Sequence, residues 1–487
     1  MLTIAAINDF HGNLRPPAEG VLIGAERVAA GGAARLATLV AELRARSPNF
    51  AFVSAGDLVG ATPLLAAHFG DQPVVESLSL MGLDYNGVGN HEFDYGLAHL
   101  RRLQDGARFR MLAANVFEGG NTVFPAYGIK EFGGTKIAFV GMTLRATPAV
   151  LSPRARAGLE FRDEVATVAA LVPELKRQGV ASIVVLIHQG GFAGGGANGC
   201  DNPWGPVFEL AERLDPMVHV IVSGHTHRAY ICRIGARLVT SAGAYGHYLT
   251  EITLDAGGSA TARNHLVRAD LAPDAAQAEL LARYGKLYAP FERVVGRLSA
   301  PLPRDVNADG ESLLGRVMAD AQLAATRGAG AVVAFMNRGA IRAPLQPAAD
   351  GTVTFADLYA AHPFGNTLIT MPLTGAQIVR LLEQQWIDEA RVMPVSRGFS
   401  YAWDPARPPG SRVVPGSVTI DGTALDPNAV YRVTMNDYLA NGGDGLAMLR
   451  EVRGRRQGGG LLDAVIRYLE QNQPLSAPRD RRVRKSE

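Results

Sequence analysis

Five short segments in the first half of the chain carry side chains able to hold a metal ion. They are Asp9 and His11 in NDFHGN, Asp57 in SAGDLVG, Asn90 and His91 in GNHEFD, His188 in LIHQGG, and His225 and His227 in SGHTHR. Each follows an apolar or strand-like run, so an open α/β sheet would gather them along one edge although more than two hundred residues separate the first from the last. Taken singly, each has a plainer explanation. Asp9 after a strand is a turn former or helix cap, Asn90 after Gly89 tolerates left-handed backbone, and His188 is a hydrogen-bonded histidine at a strand end. The pair His225 and His227, two apart in a loop, is harder to explain in that way. The conjunction of five such turns argues for one metal site.

The elements that would position these groups are legible from their patterning. Leu2 to Ile7, Phe50 to Ser54, Ile137 to Val140, Ile183 to Ile187 and Val218 to Val222 are continuous, β-branched apolar runs bounded by Gly, Asn or Asp, which predicts buried strands. Ala33 to Arg46 and Glu164 to Gln178 carry helix-period apolar positions. The alternation predicts an α/β layered first domain over residues 1–270. Residues 271–298 are helix-rich and read as a connector helix. The second domain, 299–478, reads as mixed α+β: a helix from Gly310 to Ala325, a strand from Ala331 to Met336, segments at Thr367 to Met371, Gly375 to Trp386 and Tyr431 to Asn436, and a glycine-rich turn at Asn441 to Gly445. The basic end RDRRVRKSE reads as a solvated tail.

Composition narrows the function classes. With 47% hydrophobic and 19% charged residues over 487 positions, the chain can bury two or three cores and is not a disordered sequence. A formal charge of +2 is too balanced for an electrostatic claim on nucleic acid or anionic membrane. No apolar run approaches the roughly 20 residues that span a bilayer. Two cysteines, Cys200 and Cys232, exclude a disulfide scaffold or a cysteine-rich metal module and leave room for one bridge, the alternative being two buried thiols. The segment MLTIAAINDF has no basic n-region or cleavage site before the first strand, so the protein either stays in the cytoplasm or has lost its signal.

The five turn motifs resemble those of the calcineurin-like metallophosphoesterases, and the whole chain resembles the 5′-nucleotidase family, in which that domain is joined to a substrate-binding domain. The resemblance implies a four-layer α/β/β/α metallophosphoesterase domain and two divalent ions bridged by an aspartate. Carried onto this sequence, Asp9, His11, Asp57 and His227 hold one ion, and Asp57, Asn90, His188 and His225 hold the other. Four imidazoles, two carboxylates and an amide suit zinc or manganese better than calcium or magnesium. His91 is not a ligand in this family. Asp94, three residues later, can orient its ring, and His91 takes the transition-state and leaving-group role. Related secreted proteins often carry a cysteine in each of the segments holding Cys200 and Cys232, which implies a bridge and a periplasmic or secreted location.

In the second half, GESLLGRVMADAQ, NRGAIR, HPFGN and NDYLANGGDG resemble the 5′-nucleotidase C-terminal domain. The resemblance implies that Asn337 and Arg342 approach phosphate, Phe364 and Tyr438 clamp the base, Asn366 contacts its edge, and Asp444 binds ribose hydroxyls. Arginine offers fixed, bidentate charge to phosphate, and an aromatic pair stacks on any base. The sequence departs from the family in two places. Tyr438 stands where phenylalanine is frequent, and a phosphate-binding arginine expected before GES is replaced by DVNADGES, with Arg304 or Arg338 the candidates to compensate. The expectation is an enzyme, a metallophosphoesterase that converts nucleoside 5′-monophosphates to nucleoside and phosphate. Within the class the rivals are 2′,3′-cyclic nucleotide phosphodiesterase and UDP-sugar or dinucleotide pyrophosphatase; outside it, a catalytically silent nucleotide-binding protein. The expected partner is a small nucleotide, with no nucleic acid and no membrane span, and domain closure at the connector is expected to gate turnover.

Overall fold

Alternation along the first strand sets the layering of the first half. In Leu2–Ile7, the side chains of Leu2, Ile4 and Ala6 enter one core while Ala5 and Ile7 enter another, as period-2 pleating requires. The strand sits inside a six-stranded sheet ordered Ala260–Leu266, Tyr248–Leu254, Leu2–Ile7, Phe50–Ser54, Tyr85–Gly87, Arg110–Leu112. Leu2–Ile7 runs parallel to Phe50–Ser54 and antiparallel to Tyr248–Leu254. A second six-stranded sheet is ordered Ala229–Ile234, Arg237–Ala242, Val218–Ser223, Val180–His188, Thr135–Thr143, Tyr127–Phe132. Its central pairs are parallel and its two edge pairs antiparallel.

The two sheets face each other across a core of Ile4, Val53, Phe139, Val184, Leu186 and Val222. The outer face of the first sheet is covered by helices Ala33–Ala45, Gln72–Leu80 and Leu97–Gly106. That of the second is covered by Glu164–Arg177 and Pro206–Arg213. The result is the expected four-layer α/β/β/α architecture. Two glycines permit the sheets to close. A Cβ on Gly87 would lie 2.4 Å from the Leu186 carbonyl oxygen, and one on Gly141 would lie 2.3 Å from that of Leu112. Backbone therefore meets backbone near the carboxyl ends of these strands, which draws the loops beyond them together.

The structure, a computed structural model, describes residues 1–152, 154–289, 292–386 and 391–486. It divides into two compact units, Met1–Tyr288 and Ala289–Glu487. Of the segment read as a connector, helix Ala275–Tyr288 packs within the first unit: Ser77 Oγ donates to Gln277 Oε1 at 2.7 Å, and the Tyr284 hydroxyl donates to Glu76 Oε1 at 2.7 Å. Strand Val294–Arg297 pairs with Thr352–Thr354 in the second unit, and residues 290–291 lie outside the described residues.

The second unit is mixed α+β, as expected. One four-stranded sheet is ordered Val333–Ala334, Val430–Asn436, Thr367–Thr374, Arg456–Gly460, and another Thr423–Ala424, Thr419–Ile420, Phe399–Trp403, Val483–Lys485. The helix expected from Gly310 starts at Leu313, because the Ser312 hydroxyl caps it by accepting from the Gly315 N–H at 3.1 Å. Of the strand expected from Ala331 to Met336, Val333–Ala334 pairs with Val430–Asn436 and Phe335 makes an isolated bridge to Val395. Capping boxes start helices Phe355–Ala361 and Gly375–Glu383. The basic end read as a solvated tail instead carries strand Val483–Lys485, paired with Phe399–Trp403 and fastened by a buried bidentate pair, Arg482 to Asp320, at 2.8 and 2.9 Å. Among the described residues no helix is long and apolar enough to cross a membrane.

Candidate metal centre

Strand ends supply the loops that carry the candidate ligands. Asp9 and His11 follow Leu2–Ile7, Asp57 follows Phe50–Ser54, Asn90 follows Tyr85–Gly87, His188 ends Val180–His188, and His225 and His227 follow Val218–Ser223. Asp9, His11, Asp57, His225 and His227 all hold left-handed backbone, with φ of 49°, 45°, 52°, 77° and 56°. Such conformations cost about 1–3 kcal/mol each in a residue with a Cβ, and their clustering marks a functional site.

The side chains converge. Carboxylate oxygens of Asp9 and Asp57 and a ring nitrogen of His188 lie within 4.8 Å of one another, as do ligand atoms of Asp9, His11 and His227. His188 Nε2 is 3.0 Å from Asp57 Oδ2 and 3.8 Å from Asp9 Oδ1. His227 Nε2 is 3.2 Å from Asp9 Oδ1, and His11 Nε2 is 3.6 Å from Asp57 Oδ2. Both carboxylates therefore reach both groups of imidazoles. Asn90 Oδ1 lies 3.0 Å from His225 Nδ1, and the His188 and His225 rings are 5.3 Å apart.

The ring tautomers fit a metal. His11 Nδ1 donates to the Gly60 carbonyl at 2.8 Å and His188 Nδ1 to that of Ala55 at 2.7 Å, because a carbonyl oxygen can only accept. A neutral ring so anchored turns its Nε2 lone pair toward the carboxylates. The His188 Nε2 atom is buried without a hydrogen bond, and the His11 and His227 Nε2 atoms face each other at 3.2 Å. Lone pairs aimed at carboxylate oxygens call for a cation between them.

The charges agree. Burial works to raise Asp9, but His227 and His188 outweigh it and hold its carboxyl at about 2. Burial works the same way on Asp57, and His188 and His91 outweigh it, leaving that carboxyl well below the usual range. His188, against burial, is held up at about 10 by Asp57 and Asp9. The field that would keep a proton on His188 is the field that favours a divalent ion there. Burial and then His188 push His225 down to about 3, so it is a neutral imidazole.

His91 stands at this cluster with its ring 5.1 Å from that of His11. Its Nδ1 meets Asp94 Oδ2 at 2.8 Å, and its backbone N–H donates to Asp57 Oδ1 at 2.9 Å. Three further residues escaped the sequence reading. Buried Glu92 accepts from the N–H groups of Asp57, Leu58 and Gly89 at 2.8–2.9 Å, tying two ligand loops together, and burial lifts it to about 7. Asn8 donates to Asp9 Oδ2 at 2.7 Å. Tyr245 donates its N–H to the Asp9 carbonyl and sets its ring 5.3 Å from that of His227. Glu92 and Asn8 adjoin candidate ligands in sequence, a usable signal; Tyr245 had none.

In the second unit the expected substrate residues meet around Asn436–Tyr438. Buried Asn337 accepts from Asn436 Nδ2 at 2.7 Å, Asn366 donates to Asp437 at 2.7 Å, and the Tyr438 hydroxyl donates to Asp444 Oδ1 at 2.9 Å. NRGAIR, HPFGN and NGGDG thus share one anchor. Arg391, not singled out from the sequence, lies 3.6 Å from Asp444. Arg342 is half-buried and Arg338 exposed in a short turn. Arg304 donates to the Arg342 carbonyl at 2.7 Å. Phe364 packs against the core that contains Met336 and Leu461, and Tyr438 against that of Leu439 and Leu449.

Two family profiles match this chain: calcineurin-like phosphoesterase over residues 2–229, and 5′-nucleotidase, C-terminal domain, over 294–451. The chain belongs to the 5′-nucleotidase family. A solved 5′-nucleotidase precursor from Thermus thermophilus superposes with a TM-score of 0.86 at 29% identity, covering 99% of each chain. An endonuclease of Bacillus subtilis strain 168 is 28% identical over 523 residues, and a cell wall protein of Listeria monocytogenes is 29% identical over 513. The chain spans 41% of the length of the first relative and 64% of the second. The family's phosphoesterase fold implies divalent metal ions, and the first unit holds the donor set to receive them.

Proposed function

We propose that the chain is a dinuclear metal-dependent phosphohydrolase that releases phosphate from nucleoside 5′-monophosphates. The observation that carries this reading is the convergence of two carboxylates and the imidazoles of His11, His188 and His227, with ring lone pairs turned inward. Asp9, His11, Asp57 and His227 would hold one ion and Asp57, Asn90, His188 and His225 the other. Zinc or manganese suits the donors best. Such a pair supplies Lewis acidity toward the phosphoryl oxygens and activates water for in-line attack.

His91, its ring fixed by Asp94, hydrogen-bonds the phosphoryl group as charge develops and gives its proton to the departing 5′-oxygen. In the second unit, Asn337, Arg338 and Arg342 are assigned to phosphate, Phe364, Tyr438 and Asn366 to the base, and Asp444 to ribose. Their shared anchor at Asn436–Tyr438 supports one binding surface. The Cys200–Cys232 disulfide supports residence in an oxidising compartment, periplasmic or secreted.

The test is phosphate release from AMP, UMP, UDP-glucose, 2′,3′-cyclic AMP and NAD with Mn²⁺ or Zn²⁺. Release from the monophosphates, abolished by chelator and by Asn90→Ala, is the expected result. Tight AMP binding without release would make the chain a binding protein instead.

A further inference from the structure

Tyr245 stands at the metal centre, and the reaction as proposed makes no use of its hydroxyl. The residue lies in the turn that joins strand Arg237–Ala242 of the second sheet to Tyr248–Leu254 of the first. Its backbone is left-handed, with φ of 60°, a conformation that a bulky side chain rarely adopts. A glycine would take it more readily, so the strain is carried for the sake of the side chain. The Tyr245 N–H donates to the Asp9 carbonyl at 2.7 Å, which ties the turn to the loop of Asp9 and His11. Its ring meets that of His227 edge-on at 5.3 Å and 79°, and lies 5.9 Å from that of His11.

The side chain is partly exposed, yet its hydroxyl oxygen is buried and has no hydrogen-bond partner among the described residues. The ring therefore enters the protein tip first. The imidazoles around it do not take the hydroxyl. His11 Nδ1 donates to the Gly60 carbonyl, the Nε2 atoms of His11 and His227 turn toward Asp57 and Asp9, and His247, 6.0 Å away ring to ring, makes no bond to it. A buried hydroxyl left in that state is costly unless an arriving group satisfies it. We infer that Tyr245 is a further catalytic residue, its hydroxyl donating a hydrogen bond to a phosphoryl oxygen of the substrate at the metal centre. This rests on the metal centre being the place where phosphate esters are cleaved. An anionic oxygen is the acceptor that strengthens such a bond most, and a donor already fixed in place stabilises charge on the phosphoryl oxygens without reorganising. His91 and Tyr245 both border the His11 ring, at 5.1 and 5.9 Å, and divide the work. His91 serves the departing oxygen, and Tyr245 serves an oxygen that stays on phosphorus and keeps its own proton.

The test compares the metal-loaded full chain with Tyr245→Phe, which removes only the hydroxyl. The variant should lower kcat for AMP at least about tenfold, a hundredfold being the usual cost of a lost oxyanion donor; a smaller fall overturns the inference. Because that hydroxyl bonds nothing in the protein, Tm and metal content should stay at their wild-type values. Loss of metal along with activity would make Tyr245 a support for the ligand loops and overturns it as well. Inorganic phosphate is the probe for binding: its Kd by calorimetry should rise about fivefold in the variant, the scale of one hydrogen bond, and an unchanged Kd counts against the assignment. If the wild type does not hydrolyse AMP, the phosphohydrolase reading fails, and the phosphate titration alone decides the role of Tyr245.

Discussion

His91 shows how little of a residue's role is visible in its type. It neighbours a candidate ligand in sequence, yet its Nδ1 meets Asp94 Oδ2 at 2.8 Å, the contact that orients its ring. His91→Ala should lower kcat by about a hundredfold or more, the usual worth of a placed acid, while metal content by elemental analysis stays at the wild-type value. Loss of metal together with activity would make His91 a structural support instead. Tyr438 carries a second expectation. Its hydroxyl occupies Asp444, the residue assigned to ribose, with a bond that a phenylalanine could not make. Tyr438→Phe should release that carboxylate and lower the KM for AMP relative to 2′-deoxy-AMP; an unchanged ratio would remove Asp444 from ribose recognition. Asp71 gives the pH dependence. Burial holds it up at about 6, so the folded form keeps its proton more tightly than the unfolded chain does. The stability it contributes is complete below the ordinary value of 3.8 and is lost as pH rises through about 6. Asp71→Asn should therefore flatten the fall of Tm between about pH 4 and 6, and parallel slopes in the two proteins would show that Asp71 does not titrate there.

At the scale of elements, the strands were the legible part. Leu2–Ile7 and Phe50–Ser54 have the bounds that their apolar runs indicate, because a strand buried on both faces needs uninterrupted hydrophobic residues. The short strands Tyr85–Gly87 and Arg110–Leu112 were not legible. Three residues are too few to show a period, and their placement comes from pairing with neighbours. The hairpin of strands Phe192–Gly194 and Asp201–Trp204 was equally hidden, since its glycine-rich sequence reads as loop. That arm is fixed by the Cys200–Cys232 bridge, which spans 32 residues. Replacing both cysteines by serine should lower the unfolding free energy of the first unit by about 3–4 kcal/mol, as measured by denaturant titration. A change under about 1 kcal/mol would mean that hairpin packing alone holds the arm.

For the molecule as a whole, each unit has its own apolar cores, and every candidate metal ligand lies in the first. Metal bound to the folded state alone stabilises the unit that holds it. Chelation should therefore shift the calorimetric transition of Met1–Tyr288 downward by about 5–10 °C and leave that of Ala289–Glu487 in place. Equal shifts would mean that the ligands are not confined to the first unit. The sequence alone determined the layered α/β class and the identities of the metal-competent groups, because hydrophobic period and side-chain chemistry are local properties. It did not determine that both Asp9 and Asp57 reach both groups of imidazoles, that Glu92 ties their loops, or that the Tyr438 hydroxyl claims Asp444. Those facts depend on distances between residues far apart along the chain or on the direction of one hydroxyl, and packing of the two sheets and their loops decides both.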